Sequence, residues 1–442
     1  MLSLISLTLV TLPMLIASLY HTVLVYGRSI ATARLSHHGE ESELLSVITP
    51  IKDEPVEVVE RYGRHFLKFT EASLVECIVV ADYTNVELFQ EVLKVFPFSS
   101  LSFLVRRFNG VGGRNGAIND GVRFSASETV ALLDIDAYPS EAVLKSMASC
   151  DGVYIARWRV CEWSLTRVSK TIAFMTEYGS WLYYKLKSSR GFFIYPLGSG
   201  TAIKKKLFEE IGGLRLDVLQ DDMWLGIQLL RKGVEPVLVG EMCVGVPQTL
   251  AAFFIQQRRW AYGTTDVLKR FGKHILKAPT GAVQKLEALF YLSQPLVSSI
   301  AGLGFLLALP ASFLEVQRFG VLEVMLLAIF IFSTILETFC TKRFSKDVRR
   351  YDPPYVYGRS SAIATLLSIG IIPYVVAALI GVKIPYRVTP KSEDSATEPT
   401  IIIILLLSAT SFALSIIRRN AVSLLVSAMP LAASLYALMR LK

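Results

Sequence analysis

Asp134 and Asp136 are separated by one residue, Ile135. Carboxylates at i and i+2 of an extended chain point to the same side and can share one hard cation. Mg²⁺ takes one or two carboxylates and fills its other positions with phosphate oxygens and water. The pair therefore suits a metal–diphosphate site. It also suits a plain strand-end turn, where Asp is common. Asp82 could accept hydrogen bonds from a nucleotide base or ribose. Arg114 lies in Gly110-Val111-Gly112-Gly113-Arg114-Asn115-Gly116, where bare backbone and a guanidinium could approach a diphosphate. No Gly-Lys-Ser/Thr follows, so the stretch is not a P-loop. Asp221-Asp222 opens an apolar-periodic stretch, as a helix cap or as a general base held at a positive helix end. Gln256, Arg259 and Trp260 are spaced to share one helix face. Amide, guanidinium and indole suit a sugar acceptor, and they equally suit an interfacial membrane anchor.

These residues need a scaffold, and the chain between them supplies one. Leu44–Thr49, Glu76–Ala81, Leu101–Arg106 and Val130–Asp134 are short apolar runs with helical stretches between them. Near-continuous apolar strands interleaved with helices predict an α/β domain with a mostly parallel sheet. Ligands bind such sheets at the carboxyl ends of the strands. Polar clusters follow each run in turn: Pro50, Lys52 and Glu54, then Asp82, then the glycine-rich stretch through Asn119, then Asp134 and Asp136.

The chain of 442 residues is 52% hydrophobic and only 19% charged. Soluble domains carry about 25% charged residues. The apolar excess excludes a disordered chain. It is concentrated at the two ends. Leu2–Tyr26 is a run of 25 residues without a formal charge, enough for a bilayer core of about 30 Å. It is longer than a signal-peptide core, and nothing basic precedes it. Arg28 and Arg34 follow, which places the next segment in the cytosol. Ala288–Leu314, Val321–Thr341, Ser360–Val382, Pro399–Ile417 and Asn420–Met439 repeat the apolar pattern. The loop 342–359 carries a net +4 and reads as cytosolic. Residues 1–27 are thus expected as a transmembrane helix, 28–246 as a cytosolic domain, 247–283 as interfacial helices and 284–442 as transmembrane or interfacial helices. The segment 360–382 is interrupted by Pro373, so it can span or re-enter. The five cysteines form no metal-ligand spacing and fit free thiols in a reducing compartment.

The ordered set resembles the membrane-embedded inverting glycosyltransferases of family two, the cellulose synthase, hyaluronan synthase and ceramide glucosyltransferase group. That family carries an early Asp, a DxD, an acidic pair and a Q/RxxRW helix in this order. The resemblance covers roughly residues 44–275. It implies a GT-A type nucleotide-sugar-binding domain joined to an α-helical transmembrane region. It implies Asp222 as general base. Pro50, Lys52, Glu54, Asp82, Arg114, Asn119, Asp134 and Arg259 would contact the nucleotide sugar. Gly200, Asp221, Gln256 and Trp260 would contact the acceptor, and Asp136 with Asp134 would hold a divalent cation, Mg²⁺ or Mn²⁺. Tyr386-Arg387-Val388-Thr389-Pro390-Lys391 is similar to the FxVTxK gating loop of cellulose synthases, which adds Thr389 and Lys391 to the nucleotide contacts. Transferred here, that loop is cytosolic and makes 360–382 interfacial or re-entrant. The acidic pair is Asp-Asp where Glu-Asp is usual.

The resemblance implies hexosyl transfer from a nucleotide sugar, with UDP the expected nucleotide, to a growing polysaccharide at the cell membrane, catalytic domain in the cytoplasm. A lipid acceptor taking one sugar is the alternative. A transporter or sensor with a nucleotide-binding domain is the third reading, although only Glu323 and Glu337 intrude on its apolar segments. The partners expected are a nucleotide sugar, a polysaccharide or lipid acceptor, and membrane lipids. Nucleic acid is not expected, because the net charge of +9 lies mainly in loops beside apolar helices.

Overall fold

The computed structural model describes residues 1–29, 44–161, 166–316, 319–351, 353–385 and 398–441. Thr389, Lys391 and the rest of the 386–391 motif lie outside the described residues.

Among the described residues the eight strands are β1 (Leu45–Lys52), β2 (Val75–Asp82), β3 (Ser102–Arg106), β4 (Thr129–Leu132), β5 (Ala137–Tyr138), β6 (Val153–Val160), β7 (Thr201–Lys204) and β8 (Val237–Val244). They form one sheet in the order β3-β2-β1-β4-β7-β6-β8-β5. The half containing β1 to β4 is parallel, as expected from its apolar runs. The other half is mixed: β7 is antiparallel to β4 and β6, and β5 is antiparallel to β8.

Helices α2 (Val56–Glu71), α3 (Val86–Val95) and α5 (Glu141–Ala148) cover one face of the sheet, while α4 (Gly113–Phe124), α8 (Lys205–Ile211) and α9 (Asp221–Lys232) cover the other. In β2, Cys77, Val79 and Ala81 enter the first core, and Ile78 and Val80 the second. A strand buried on both faces has to be apolar at every position. This accounts for the unbroken run at 77–81.

The remaining helices carry the membrane character. α1 spans Leu2–Tyr26; α6 (Arg167–Ser180) continues through a π-helical turn, Trp181–Leu186, into the short α7 (Lys187–Ser189). α10 (Leu250–Leu276), α11 (Ala282–Leu314), α12 (Val321–Val348), α13 (Pro353–Gly370), α14 (Ile372–Ile380), α15 (Pro399–Ile417) and α16 (Ala421–Arg440) follow. Among the described residues, six helical segments are long and apolar enough to cross a membrane: α1, α11, α12, Val356–Ile380, α15 and α16. The chain is a multi-pass membrane protein.

The break expected near Pro373 is present between α13 and α14. Pro373 has no N–H, and Tyr374 N–H turns to Ile371 O at 3.0 Å. Gly370 O takes Nε of Arg258 on α10 instead, at 3.2 Å. The same guanidinium binds Glu398 at 2.8 Å and Thr400, just before and inside α15. α10 is thereby fastened to two membrane helices.

One expectation is corrected here. Cys161 and Cys243 are not free thiols. β6 and β8 run side by side, and the structure joins the two residues as a disulfide with Cα atoms 5.5 Å apart, inside the range a disulfide needs. Cys77, Cys150 and Cys340 are free and buried. With one pair bonded, the cysteines no longer argue for a reducing compartment.

Membrane helices gain little from the hydrophobic effect on one another and pack through small residues. Gly302 of α11 is such a residue: a Cβ there would strike the backbone carbonyl of Ser368 on α13. Backbone cannot rotate away, so Gly302→Leu is expected to cost about 1–3 kcal/mol, seen as a lower melting temperature in detergent.

Candidate active site

β4 stops at Leu132, and the chain turns through Asp134, Ile135 and Asp136 into β5. Ile135 is buried, while the flanking carboxylates stay half-exposed. The chain is not extended here as the spacing argument assumes: Ala137 N–H donates to Asp134 O at 3.0 Å and closes a turn. Asp134 N–H donates to Ser199 Oγ at 2.9 Å, and Ser199 O accepts from Trp158 Nε1 at 2.7 Å. The turn is thereby tied to β6.

Arg114, in the first turn of α4, is the hub. Its Nη2 donates to Asp134 Oδ1 at 2.9 Å and to Gly198 O at 2.5 Å, and its Nη1 donates to Asp221 Oδ2 at 2.6 Å. One guanidinium joins the turn after β4, the segment before β7 and the start of α9. The expected nucleotide contact is here an organiser of carboxylates.

Asp221 and Asp222 open α9, but neither caps it; Gln220 holds that position. The helix-cap reading is therefore not the one the structure uses. Asp222 is 8% exposed. Its Oδ1 accepts from Met223 N–H at 2.8 Å and its Oδ2 from Gly198 N–H at 3.2 Å. Burial, then the like charge of Asp221, pushes its pKa up to about 7, against the opposing pull of the Met223 N–H, Arg114 and the Gly198 N–H. A carboxylate poised near neutrality is suited to general base work.

Asp82 ends β2 and is gripped by Arg107, Nη1 to Oδ2 at 2.7 Å. Arg107 also holds Asp120 at 2.8 Å and the carbonyls of Val111 and Gly113. It fixes the glycine-rich turn against the sheet. Burial raises the Asp82 pKa in spite of Arg107. The second oxygen of Asp82, Oδ1, is buried without a hydrogen-bond partner.

Other expected residues divide. Lys52 is the last residue of β1, in register with Asp82, and Pro50 lies within β1 beside Val80, not in a loop after it. Tyr83 Oη donates to the Glu54 carbonyl at 2.8 Å. Asn119, expected at the nucleotide, instead gives both ends of its amide to the backbone of Leu214, each at 2.8 Å. It holds a loop. Gly200, expected at the acceptor, sits inside the sheet at φ +107°, and a Cβ there would come within 2.6 Å of Ala156 O. Gln256, Arg259 and Trp260 are on α10, the long amphipathic helix their spacing predicts. Trp260 leans on Trp158 with ring centroids 6.1 Å apart. At Gly263 α10 passes so close that a Cβ would come within 2.8 Å of Gln220 Cβ. The aromatic helix and the acidic pair are thus neighbours. Sequence reading missed Arg107, Gly198 and Ser199. Only the Arg106-Arg107 pair at a strand end gave any signal.

Among the described residues no cluster of three or more His, Cys, Asp or Glu could hold a metal by itself. Asp134 and Asp136 offer two half-exposed carboxylates within one turn. That donor set fits Mg²⁺ or Mn²⁺ completed by phosphate and water, and does not fit structural zinc.

Residues 130–340 match glycosyl transferase family group 2, and residues 46–212 match glycosyl transferase family 2. The chain carries a family 2 glycosyltransferase domain. A probable glycosyltransferase of Sulfolobus acidocaldarius is 25% identical over 262 residues, 57% of this chain and 56% of that protein. Glucomannan 4-beta-mannosyltransferase 1 of Oryza sativa subsp. japonica is 24% identical over 47% of this chain and 42% of its own length. The chain spans about half the length of the curated relatives it matches. Among solved structures, the mannosyltransferase PcManGT from Pyrobaculum calidifontis, in complex with GDP-Man and Mn²⁺, superposes with a TM-score of 0.53 at 14% identity, covering 86% of this chain and 99% of that one. At that identity the likeness shows the GT-A fold.

Asp222 also sets a stability test. Its folded pKa is raised from 3.8 to about 7. Between those values the folded state binds the extra proton, so stability falls as pH rises through the window. Asp222→Asn is expected to melt above wild type at pH 8, with the gap closing at pH 5. A gap that does not depend on pH contradicts the buried, proton-binding carboxylate.

Proposed function

We propose that the protein transfers a hexose, with inversion, from a nucleoside-diphosphate sugar to a hydroxyl of a growing polysaccharide at the cytosolic face of a membrane. The observation that carries this reading is the buried Asp222 carboxylate, near neutral pKa, packed between the Arg114 hub and the start of α9. Asp222 takes the proton of the acceptor hydroxyl. The oxygen attacks the anomeric carbon from the side opposite the diphosphate. The bond from that carbon to the phosphate oxygen breaks, and its electron pair leaves with the nucleoside diphosphate. Arg259 supports the leaving diphosphate. Asp134 and Asp136 would hold a divalent cation, which neutralises diphosphate charge when bound. Asp82, with its unpartnered Oδ1, serves the nucleotide base or ribose.

The rice relative is named for mannosyl transfer to glucomannan and the Pyrobaculum protein binds GDP-Man. Those names make GDP-mannose the first donor to test, with UDP-sugars second. The same names, with α10 running from the acidic pair to the membrane helices, favour a polymer over a single lipid-linked sugar.

Purified protein in lipid should therefore turn over one radiolabelled nucleotide sugar with Mg²⁺ or Mn²⁺, stop with chelator, and give a ladder on a sizing gel. One sugar on a lipid would overturn the polymer; no turnover with any donor would overturn the transferase reading. Asp222→Asn should abolish transfer and leave donor binding nearly intact. The kcat/KM of wild type should fall about tenfold per pH unit below pH 7.

A further inference from the structure

Residues 191–198 connect α7 towards β7 outside any helix or strand. Much of their anchorage comes from a membrane helix. Gln284 of α11 donates through Nε2 to Gly191 O at 2.6 Å, and its Oε1 accepts from Phe193 N–H at 2.8 Å. One side chain thus imitates a strand edge. Tyr195 Oη donates to Ala288 O at 3.3 Å, and its ring stacks on Tyr291 with centroids 5.1 Å apart. Positions 284, 288 and 291 follow one another along one helix face. On the same face Glu287 binds Lys187, at the start of α7, at 2.8 Å, with both side chains buried.

The far end of the segment is Gly198. Its N–H goes to Asp222 Oδ2 at 3.2 Å and its carbonyl to Arg114 at 2.5 Å. The segment is a strap held by a membrane helix at one end and touching two active-site groups at the other.

We propose that the cytosolic end of α11 is the positioning template for the catalytic base, with Gln284 and Tyr195 as positioning residues that act through the Gly191–Gly198 strap. This rests on the reading of Asp222 as base. A helix fixed in the membrane thereby sets the height at which the acceptor hydroxyl meets its proton acceptor. Neither residue is asked to touch substrate.

Loosening the strap withdraws the Gly198 N–H, which favours the charged form of Asp222. The base then protonates more readily, and the acid limb of the pH profile moves to higher pH. The full-length protein in lipid is measured as wild type, Gln284→Leu, Tyr195→Phe and Asp222→Asn. Leu keeps the volume of Gln284 and removes both hydrogen bonds. Phe removes only the Tyr195 hydroxyl, so it keeps the test open if the first variant misfolds. The expected result is a kcat lower by about 10- to 100-fold for Gln284→Leu and less for Tyr195→Phe. Donor KM should be unchanged, and the acid limb of kcat/KM displaced upward in both. Loss of folded protein alone would lower the amount of active enzyme and leave the limb in place. An unshifted limb, or a loss confined to donor KM, overturns the strap while Asp222→Asn remains inactive. An active Asp222→Asn overturns the base assignment itself.

Discussion

Carboxylates gathered at the carboxyl edge of a sheet repel one another unless a cation stands among them, and here that cation is Arg114. It sits where three separately arriving pieces of chain meet: the turn after β4, the segment before β7 and the start of α9. Its fork geometry lets one side chain serve two carboxylates and a carbonyl together. Because Arg114 is committed to Asp134 and Asp221, Asp222 is left with two backbone N–H donors in a buried place. That division of partners separates the roles of the acidic pair. Asp221 is ion-paired, whereas Asp222 is pushed up to about 7.

The same economy joins chemistry to membrane. α10 brings Trp260 against Trp158, while Arg258, one residue before Arg259, reaches the carbonyl freed at the α13–α14 break and the ion partner before α15. α11 grips the strap that ends at Asp222. The site is therefore built partly by α10 and α11, the second of them long and apolar enough to cross a membrane. A soluble fragment ending before α10 would lack both fixings.

Much of this was legible in the chain. The four apolar runs became β1 to β4, and α1 and α15 run from Leu2 to Tyr26 and from Pro399 to Ile417, where the uncharged stretches lie. Strands buried on both faces and helices exposed to lipid both demand unbroken apolar sequence, so composition betrays them. The Gln256, Arg259 and Trp260 helix was readable because helical periodicity is local. Less legible were β5 to β8, short or half-buried, whose pairing depends on partners far along the chain. The disulfide between Cys161 and Cys243 was invisible for the same reason: 82 residues separate them, and only the β6–β8 register brings them together.

Residue types and spacing alone determined the α/β class, the membrane helices and the order of the acidic motifs, since each depends on side chains a few positions apart. Only the tertiary structure decided which charge faces which. Asn119 bonds the backbone of Leu214, and Gly200 lies against Ala156 O, contacts that no local pattern announces. Arg107 is marked only by the basic pair at its strand end and Gln284 by nothing local, yet one holds Asp82 and the other holds the strap. A side chain's electrostatic role is set by neighbours brought from distant segments, and the desolvation that lifts Asp222 exists only once those segments close around it.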